Sequence, residues 1–147
     1  MTDQITFTVP GNPVAKGRAR AFLRKGRVAH YTPPKTAVYE NLVRMTAQQA
    51  MAGREPMDGP VELVVSARMR IPASWSRKRQ QAAGTGAIVP TARPDLDNIV
   101  KAIKDGCNGI LWRDDSQVVE LRAQKSYGHV PCVQVQVRSL KVTEEVN

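Results

Sequence analysis

The sequence lacks the features that mark several classes of protein. It has only two cysteines, Cys107 and Cys132, which lie far apart and form no Cys-x-x-Cys pair. This argues against a zinc or disulfide framework and favours a reducing compartment. No apolar run reaches the roughly 18 residues of a membrane helix, and the first residues have neither the basic flank nor the apolar segment of a signal peptide. We therefore expect a soluble, cytoplasmic protein with no membrane partner.

Acidic residues are absent from two long stretches of the chain. Residues 4–39 and residues 63–94 contain no Asp or Glu. The basic residues in these stretches are Lys16, Arg18, Arg20, Arg24, Lys25, Arg27 and Lys35, then Arg68, Arg70, Arg77, Lys78, Arg79 and Arg93. With 22 Lys and Arg against 13 Asp and Glu, the net charge of +9 favours a polyanionic partner, nucleic acid before an acidic membrane surface.

The first basic stretch has a spacing that suits a nucleic-acid backbone. Lys16, Arg18 and Arg20 occupy every second position, so an extended backbone would direct all three to one side. Such a ridge could follow a row of phosphates, and a flexible basic loop is the alternative. The predicted DNA contacts are Lys16, Arg18, Arg20, Arg24, Lys25, Arg27, Arg77, Lys78 and Arg79.

Strand patterns dominate the two ends of the chain. Alternating apolar residues predict strands in ITFTVPG, SQVVELRAQKSY and CVQVQVRSL, and the valine-rich PVELVVSARMRIP is expected to be a central strand. AFLRKGRVAHYTPP predicts a hairpin that turns at Lys25-Gly26.

Helical patterns separate these strands. Val38, Leu42 and Met45 recur at helical spacing and predict a helix over residues 36–52, and SWSRKRQQAAG predicts a short helix capped by Ser74 or Ser76. The length of 147 residues suits one domain over residues 1–147. We expect an α+β fold with a mixed or largely antiparallel sheet and two main helices packed on it.

Five aspartates gather within residues 95–115, in RPDLDNIVKAIKD and WRDDSQVVEL. Pro94 disfavours helical geometry at Arg93, so the chain should enter extended, with Asp95 and Asp97 directed to the same side. A helix that begins close to Asp97 then forms one apolar stripe of Leu96, Ile99, Val100, Ile103 and Cys107. Its polar face would carry Asp97, Lys101, Lys104 and Asp105.

Capping and a turn would explain one carboxylate at each of two junctions, but Asp95, Asp97, Asp114 and Asp115 supply four. Two like charges about 4 Å apart repel by about 4 kcal/mol at an effective dielectric near 20. A hard divalent cation, Mg²⁺ or Mn²⁺, would remove that repulsion. Basic segments around such a site suit phosphodiester hydrolysis, in which Lys101 could neutralise charge on the phosphate. A surface pair of Lys101 with Asp97 and Asp105 is the alternative.

These motifs resemble those of the RusA-type Holliday junction resolvases, a family of crossover junction endodeoxyribonucleases. PGNPVAKGRAR, residues 10–20, resembles the family's Pro-Gly-x-Pro and Lys-x-Arg signature. RPDLDNIVKAIKDGCNGILWRDDSQVVELRAQKSYG, residues 93–128, resembles its core motif of Pro-Asp-x-Asp-Asn, a following Lys and then Asp-Asp-Ser-Gln-Val. Arg93 stands where many members have Lys, and Ala19 stands where Pro is common.

The resemblance implies a homodimer that nicks four-way DNA junctions symmetrically in recombination and repair, in a bacterial or phage-infected cell. Mg²⁺ would be the cofactor, with Mn²⁺ as a substitute. Asp95, Asp97 and Asp115 would be the catalytic metal ligands, and Lys101 a catalytic base or electrostatic group. Asn98 would orient a carboxylate. Because only one of two neighbours in an extended backbone can face the site, we expect Asp115 to face inward and Asp114 to cap the turn or support the ligands from behind.

Two other functions remain open from the residues alone. A non-catalytic module that binds branched nucleic acid would use the basic residues, while the aspartates merely cap or repel. A nucleotide-sugar enzyme using Asp-x-Asp with Mn²⁺ is disfavoured because the chain leaves little room for a nucleotide-binding half. Trp75 and Trp112 are candidates for wedging a junction open, with core packing as the alternative for each.

Overall fold

The structure is a computed structural model that describes residues 3–17, 20–31 and 34–142, with the backbone alone described for residues 20–24 and 29–31. Its strands are β1 (Gln4–Pro10), β2 (Arg20–Arg24), β3 (Arg27–Tyr31), β4 (Val61–Arg70), β5 (Val118–Gly128) and β6 (Cys132–Ser139). Its helices are α1 (Pro34–Met51), α2 (Arg77–Gly84) and α3 (Leu96–Cys107). The α+β class is confirmed.

A four-stranded sheet in the order β1-β6-β4-β5 forms the centre of the molecule. β1 and β4 each pair antiparallel with β6, and β5 pairs parallel with β4. The predicted mixed, largely antiparallel sheet is therefore confirmed, and β4 has the expected inner position. β5 is an edge strand, so one side of its backbone has no neighbouring strand in the described part of the sheet.

Alternation along the strands gives the sheet one buried face. The register places Phe7, Val135 and Val65 side by side across three strands, and all three are buried. The next row along, which includes Thr6 and Gln136, points to the other, more exposed face. Period-two patterning therefore specifies which face of this sheet packs on the helices.

Helices α1 and α3 pack closely against each other beside this sheet. On α3, the predicted apolar stripe is confirmed, with Ile99, Ile103 and Cys107 fully buried. Burial raises the pKa of the Cys107 thiol, which fits its role as a small apolar core group. The two helices approach closely at Gly106, where an added Cβ would lie 2.6 Å from Cγ1 of Val43.

The predicted α1 is present, but the spacing that identified it does not mark its buried face. Val38 and Met45 are exposed, whereas α1 buries Tyr39, Val43, Ala47 and Met51. Both sets recur at helical spacing, and contact with α3 and β1 decides between them.

Two predicted local structures are also confirmed. The β2–β3 hairpin turns at Lys25 and Gly26, which have φ angles of 53° and 76°, as a two-residue hairpin turn requires. Ser76 caps the short α2, because its hydroxyl accepts a hydrogen bond from the backbone N–H of Arg79 at 3.2 Å. No helix in the described ranges has both the length and the apolar character needed to cross a bilayer.

Candidate active site

A cleft of about 650 Å³ opens between α3 and β5. Its apolar wall consists of Leu96, Val100, Leu121 and Ala123. Its charged residues are Asp97, Lys101, Lys104, Asp105 and Asp115. Three residues that the sequence predicted to act together, Asp97, Lys101 and Asp115, thus line one cleft. This α3–β5 cleft is the candidate active site.

Helix α3 presents Asp97 and Lys101 to the cleft one turn apart. Both side chains are exposed, and Lys101 forms no ion pair with any residue that the structure describes. The alternative pair of Lys101 with Asp105 is not formed, because Asp105 instead binds the ammonium of Lys16 at 3.0 Å. The Lys101 charge is therefore available to the cleft.

Asp115 is held in place by a buried tryptophan. Nε1 of Trp112 donates a hydrogen bond to Oδ1 of Asp115 at 2.8 Å. Trp112 is fully buried, so it belongs to the core and does not form a wedge at the surface. The bond leaves Oδ2 of Asp115 as the oxygen for a ligand in the cleft.

Asp114 has a local structural role. Its carboxylate accepts hydrogen bonds from the backbone N–H and the hydroxyl of Ser116, at the start of a single 3₁₀ turn over Asp115–Gln117. These bonds, the hydroxyl first, hold the pKa of Asp114 below its usual value. The Gln117 side chain completes a capping box by accepting from the Asp114 N–H at 3.0 Å. Of the two expectations for Asp114, the structure shows the cap.

Asp95 and Asn98 line a second cleft, which adjoins the N-terminus of α3 and also includes Asn12, Lys35 and Arg93. The expectation that Asp95 and Asp97 share one side is wrong, because α3 begins at Leu96 and only Asp95 keeps an extended backbone. Asp95 occupies the N-cap position, yet its carboxylate forms no capping hydrogen bond.

The side chain of Asn98 forms no hydrogen bond to a carboxylate in the described ranges, so no contact in the structure supports its predicted role of orienting a carboxylate. Its backbone carbonyl accepts from the N–H of Lys16 at 3.0 Å. The residue therefore ties the 12–17 segment to α3 through its main chain.

The α3–β5 cleft offers carboxylate oxygens, which are the ligands that Mg²⁺ prefers. Nowhere in residues 3–17, 20–31 and 34–142 do three His, Cys, Asp or Glu side chains come close enough to hold one metal ion. Mg²⁺ usually binds through one or two carboxylates together with waters and substrate phosphates, without a protein cage. Two carboxylates in one cleft, Asp97 and Asp115, fit that chemistry. The predicted convergence of all three aspartates on one ion is not formed, because Asp95 lines the neighbouring cleft.

The ammonium of Lys16 binds carboxylates of the protein itself, whereas the sequence predicted that it would contact a DNA phosphate. Its ammonium binds Glu40 on α1 at 2.6 Å and Asp105 on α3 at 3.0 Å, and its side chain is only 23% exposed. The hydrogen bond with Glu40 is the main cause that raises the pKa of Lys16 above its usual value of 10.5, and Asp105 adds to it. These two ion pairs disfavour the predicted contact of Lys16 with DNA, because its charge is already matched within the protein.

The other predicted DNA contacts differ in what the structure shows of them. Arg18 lies outside the described residues, and the side chains of Arg20 and Arg24 do too. The remaining predicted contacts are all exposed: Lys25 and Arg27 lie at the hairpin turn, and Arg77, Lys78 and Arg79 lie in the first turn of α2.

Arg79 and Trp75 form a stacked pair near the start of α2. The guanidinium carbon of Arg79 lies 3.9 Å from the centroid of the Trp75 ring, and the Trp75 and Tyr127 rings form a T-shaped pair with centroids 5.3 Å apart. The half-buried Trp75 is therefore a surface residue held by its neighbours.

Sequence reasoning missed two supporting contacts. One is the Trp112 bond to Asp115, for which the sequence carries no signal. The other is Lys125 on β5, whose ammonium donates to the carbonyls of Ala92 and Pro94, each at 3.0 Å. Lys125 did carry a signal, since it lies two residues beyond Ala123, on the strand face that points to the helices.

The chain is similar to a known protein family and to a protein of Bacillus subtilis. A family model described as "Endodeoxyribonuclease RusA" matches residues 10–138, a range that includes both clefts' carboxylates and Lys101. A Bacillus subtilis (strain 168) protein named "Uncharacterized protein YqaN" is 39% identical over 140 residues. That alignment covers 94% of this chain and 98% of the relative.

Proposed function

The chain belongs to the RusA family of endodeoxyribonucleases, which act on branched DNA junctions, and we propose that it resolves four-way junctions by Mg²⁺-dependent hydrolysis of opposed strands. The observation that supports this most is the shared cleft of Asp97, Lys101 and Asp115 within the matched range. The proposal assigns catalysis to these three residues and to Asp95.

In this proposal, Asp97 and Asp115 hold the metal ion, and Asp95 completes the acidic set from the adjoining cleft. When bound, Mg²⁺ would supply the positive charge that polarises the phosphate and acidifies a water molecule. The protein's own contribution is to keep the two carboxylates in place. Asp97 is fixed by the first turn of α3, and Asp115 is fixed by the Trp112 hydrogen bond.

Lys101 would act on the phosphate. Because the pentavalent transition state gains negative charge on its oxygens, an ammonium on the same cleft wall would stabilise it more than the ground state. The availability of Lys101 supports this role. Lys16 neutralises Asp105, the third carboxylate of the cleft, and so removes a competing partner for Lys101.

The basic side chains at the surface would hold the DNA arms. Lys25, Arg27, Arg77 and Lys78 are exposed and form no ion pairs within the part of the chain that the structure describes. Their contacts would be to phosphate, so they would set affinity and its salt dependence but not sequence preference.

We further propose that the protein acts as a homodimer. A four-way junction has approximate two-fold symmetry, so two identical clefts could cut opposed strands. The edge strand β5, which borders the cleft, has one unpaired side in the described part of the sheet and exposes Val119, at 61%, outside the cleft lining. An exposed apolar residue on an unpaired strand edge supports a contact with a second copy at this place. Light scattering on the purified protein would measure its mass, and a monomer at micromolar concentration would contradict the proposal.

The activity is tested with synthetic four-way junctions, end-labelled on each strand in turn. We expect Mg²⁺ to produce nicks at matching positions on two opposed strands, and EDTA to abolish them. A linear duplex of the same sequence is the control and should remain intact. If the protein retards the junction in a gel but cuts none of its strands with Mg²⁺ or Mn²⁺, it is a binding module and the proposed function is wrong.

A further inference from the structure

Lys125 connects the strand that follows Asp115 with the segment that precedes Asp95. Its ammonium donates to two backbone carbonyls, those of Ala92 and Pro94, at 3.0 Å each. Asp115 lies just before β5 and Asp95 just after Pro94, so this single side chain joins the two parts of the chain that carry the acidic residues.

The segment before α3 depends on these two bonds. Among the described residues, Lys125 supplies the only hydrogen bonds made to residues 89–94. The carboxylate of Asp95 forms no capping bond, so it adds nothing to the anchoring of its own backbone. The position of Asp95 is therefore set by α3 on one side and by Lys125 on the other.

The placement of Lys125 is unusual for a lysine. Its strand partner Ala67 is buried, and the neighbouring residues on the same face, Ala123 and Tyr127, are packed against the core. An ammonium so placed needs partners, since leaving it without hydrogen bonds at a half-buried position is unfavourable. The two carbonyl acceptors form charge-assisted hydrogen bonds with the Lys125 ammonium. No carboxylate in the described part of the chain pairs with it.

We infer that Lys125 is a positioning residue of the candidate active site, which holds the segment before α3 so that Asp95 stays beside the α3–β5 cleft. The inference rests on the proposed nuclease function for its effect on cleavage. Its effect on the backbone does not depend on that function. Lys125 is assigned no contact with DNA or with the metal, and it acts through Asp95.

Lys125→Met tests the inference, because it keeps the aliphatic chain and removes the donor. We expect faster hydrogen–deuterium exchange in peptides that span residues 95–101, where the Ile99 N–H donates to the Asp95 carbonyl, while peptides from β4 and β6 keep the parental rates. In single-turnover cleavage of the four-way junction, the rate should fall by about 10- to 100-fold, as for other residues that orient metal ligands. The Mg²⁺ concentration for half-maximal cleavage should rise, whereas junction affinity in EDTA should stay at the parental value.

Lys141→Met is the matched control, since Lys141 is exposed and distant in sequence from both clefts; it should change none of these quantities. Lys125→Gln keeps an uncharged amide donor on a shorter side chain, so its effects should fall between those of the parent and Lys125→Met. If the Met variant does not fold, the Gln variant decides the matter by the same readouts. The inference would be overturned if the Lys125 variants kept the parental exchange rates. It would also be overturned if they kept both the parental cleavage rate and the parental Mg²⁺ dependence. If the parent protein itself cuts no junction, the proposed function fails, and exchange alone still decides whether Lys125 holds the segment.

Discussion

The indole nitrogen of Trp112 lies 2.8 Å from Oδ1 of Asp115 and donates a hydrogen bond to it. The ring is fully buried, so the carboxylate is attached to the rigid core although it lies at the edge of a cleft. The neighbouring Asp114 has different partners, both on Ser116. Asp115 thus lies at the candidate active site, whereas its neighbour Asp114 stabilises the 3₁₀ turn.

Trp112→Phe should remove the hydrogen bond while keeping an aromatic ring in the core. We expect cleavage to fall by about 10- to 100-fold and the Mg²⁺ requirement to rise, because Asp115 loses its fixed orientation. The smaller ring should also lower the free energy of unfolding by about 1–3 kcal/mol. Leu111→Ala is the control, since Leu111 is equally buried but its aliphatic side chain cannot donate a hydrogen bond to a carboxylate. Equal losses of cleavage in the two variants, measured where both are folded, would refute the role of Trp112.

Asp114→Ala should lower the free energy of unfolding and leave the cleavage rate close to that of the parent. Asp115→Asn should lower the cleavage rate and leave the free energy of unfolding close to that of the parent. The folded-state pKa of Asp114 is lowered, so its stabilising contribution is present above the usual Asp pKa of 3.8 and is lost as the pH falls through the lowered value. Urea unfolding of the parent and of Asp114→Ala should therefore differ at pH 7 and converge in acid. A cleavage loss in Asp114→Ala as large as that in Asp115→Asn would show that both acids serve the reaction.

Lys16→Met should act on stability and leave DNA affinity unchanged. The ammonium bridges α1 and α3 and is mostly buried, so we expect a loss of about 1–3 kcal/mol, between the values for exposed and buried pairs. Lys25→Met, at the exposed hairpin turn, is the control and should weaken junction binding and reduce its salt dependence. Unchanged stability with weaker binding in Lys16→Met would restore the original prediction of a phosphate contact.

The pH dependence of the Lys16 effect has a definite sign. The folded-state pKa is raised, so the contribution is complete below the usual lysine value of 10.5 and is lost as the pH rises through the raised value. The stability difference between the parent and Lys16→Met should be constant near neutral pH and shrink only in strong alkali. Chemical denaturation at pH 7, 9 and 11 would measure it.

Gly106→Ala should have two opposing effects on the free energy of unfolding. Helix propensity alone predicts that alanine stabilises α3 by about 1 kcal/mol. The new Cβ, however, would lie 2.6 Å from Cγ1 and 2.7 Å from Cβ of Val43, so we expect a net loss of about 1–3 kcal/mol. In the double variant Val43→Ala/Gly106→Ala, the loss should be smaller than the sum of the single losses. A stabilised Gly106→Ala protein would contradict the close α1–α3 approach.

Strands and helices could be predicted from the sequence because their patterns are local. The Val133, Val135 and Val137 alternation specifies both β6 and its buried face. On α1, two stripes have helical spacing, and the sequence does not show that Val43 meets Gly106 while Val38 stays exposed. That choice depends on contacts between distant segments, which periodicity does not contain.

The candidate site was predictable in its residue types but not in its geometry. Asp97 and Lys101 share a cleft because i, i+4 spacing on a helix is fixed. Asp95 lines a different cleft because α3 begins at Leu96, so that Asp95 precedes the helix in an extended conformation whereas Asp97 already lies within it. The supports of Asp115 and Asp95, by Trp112 and Lys125, are bonds across the fold that no spacing rule predicts.

The dependence of DNA cleavage on the Asp97 carboxylate is the part of the proposed function that can be tested most directly. It is tested by comparing the parent, Asp97→Asn and, as a control for loss of one negative charge, Asp3→Asn, on end-labelled four-way junctions in Mg²⁺. We predict that Asp97→Asn cuts more than about 100-fold more slowly, while its junction affinity in EDTA stays within about twofold of the parent, since phosphate contacts dominate affinity. Cleavage by Asp97→Asn at the parental rate would contradict the account.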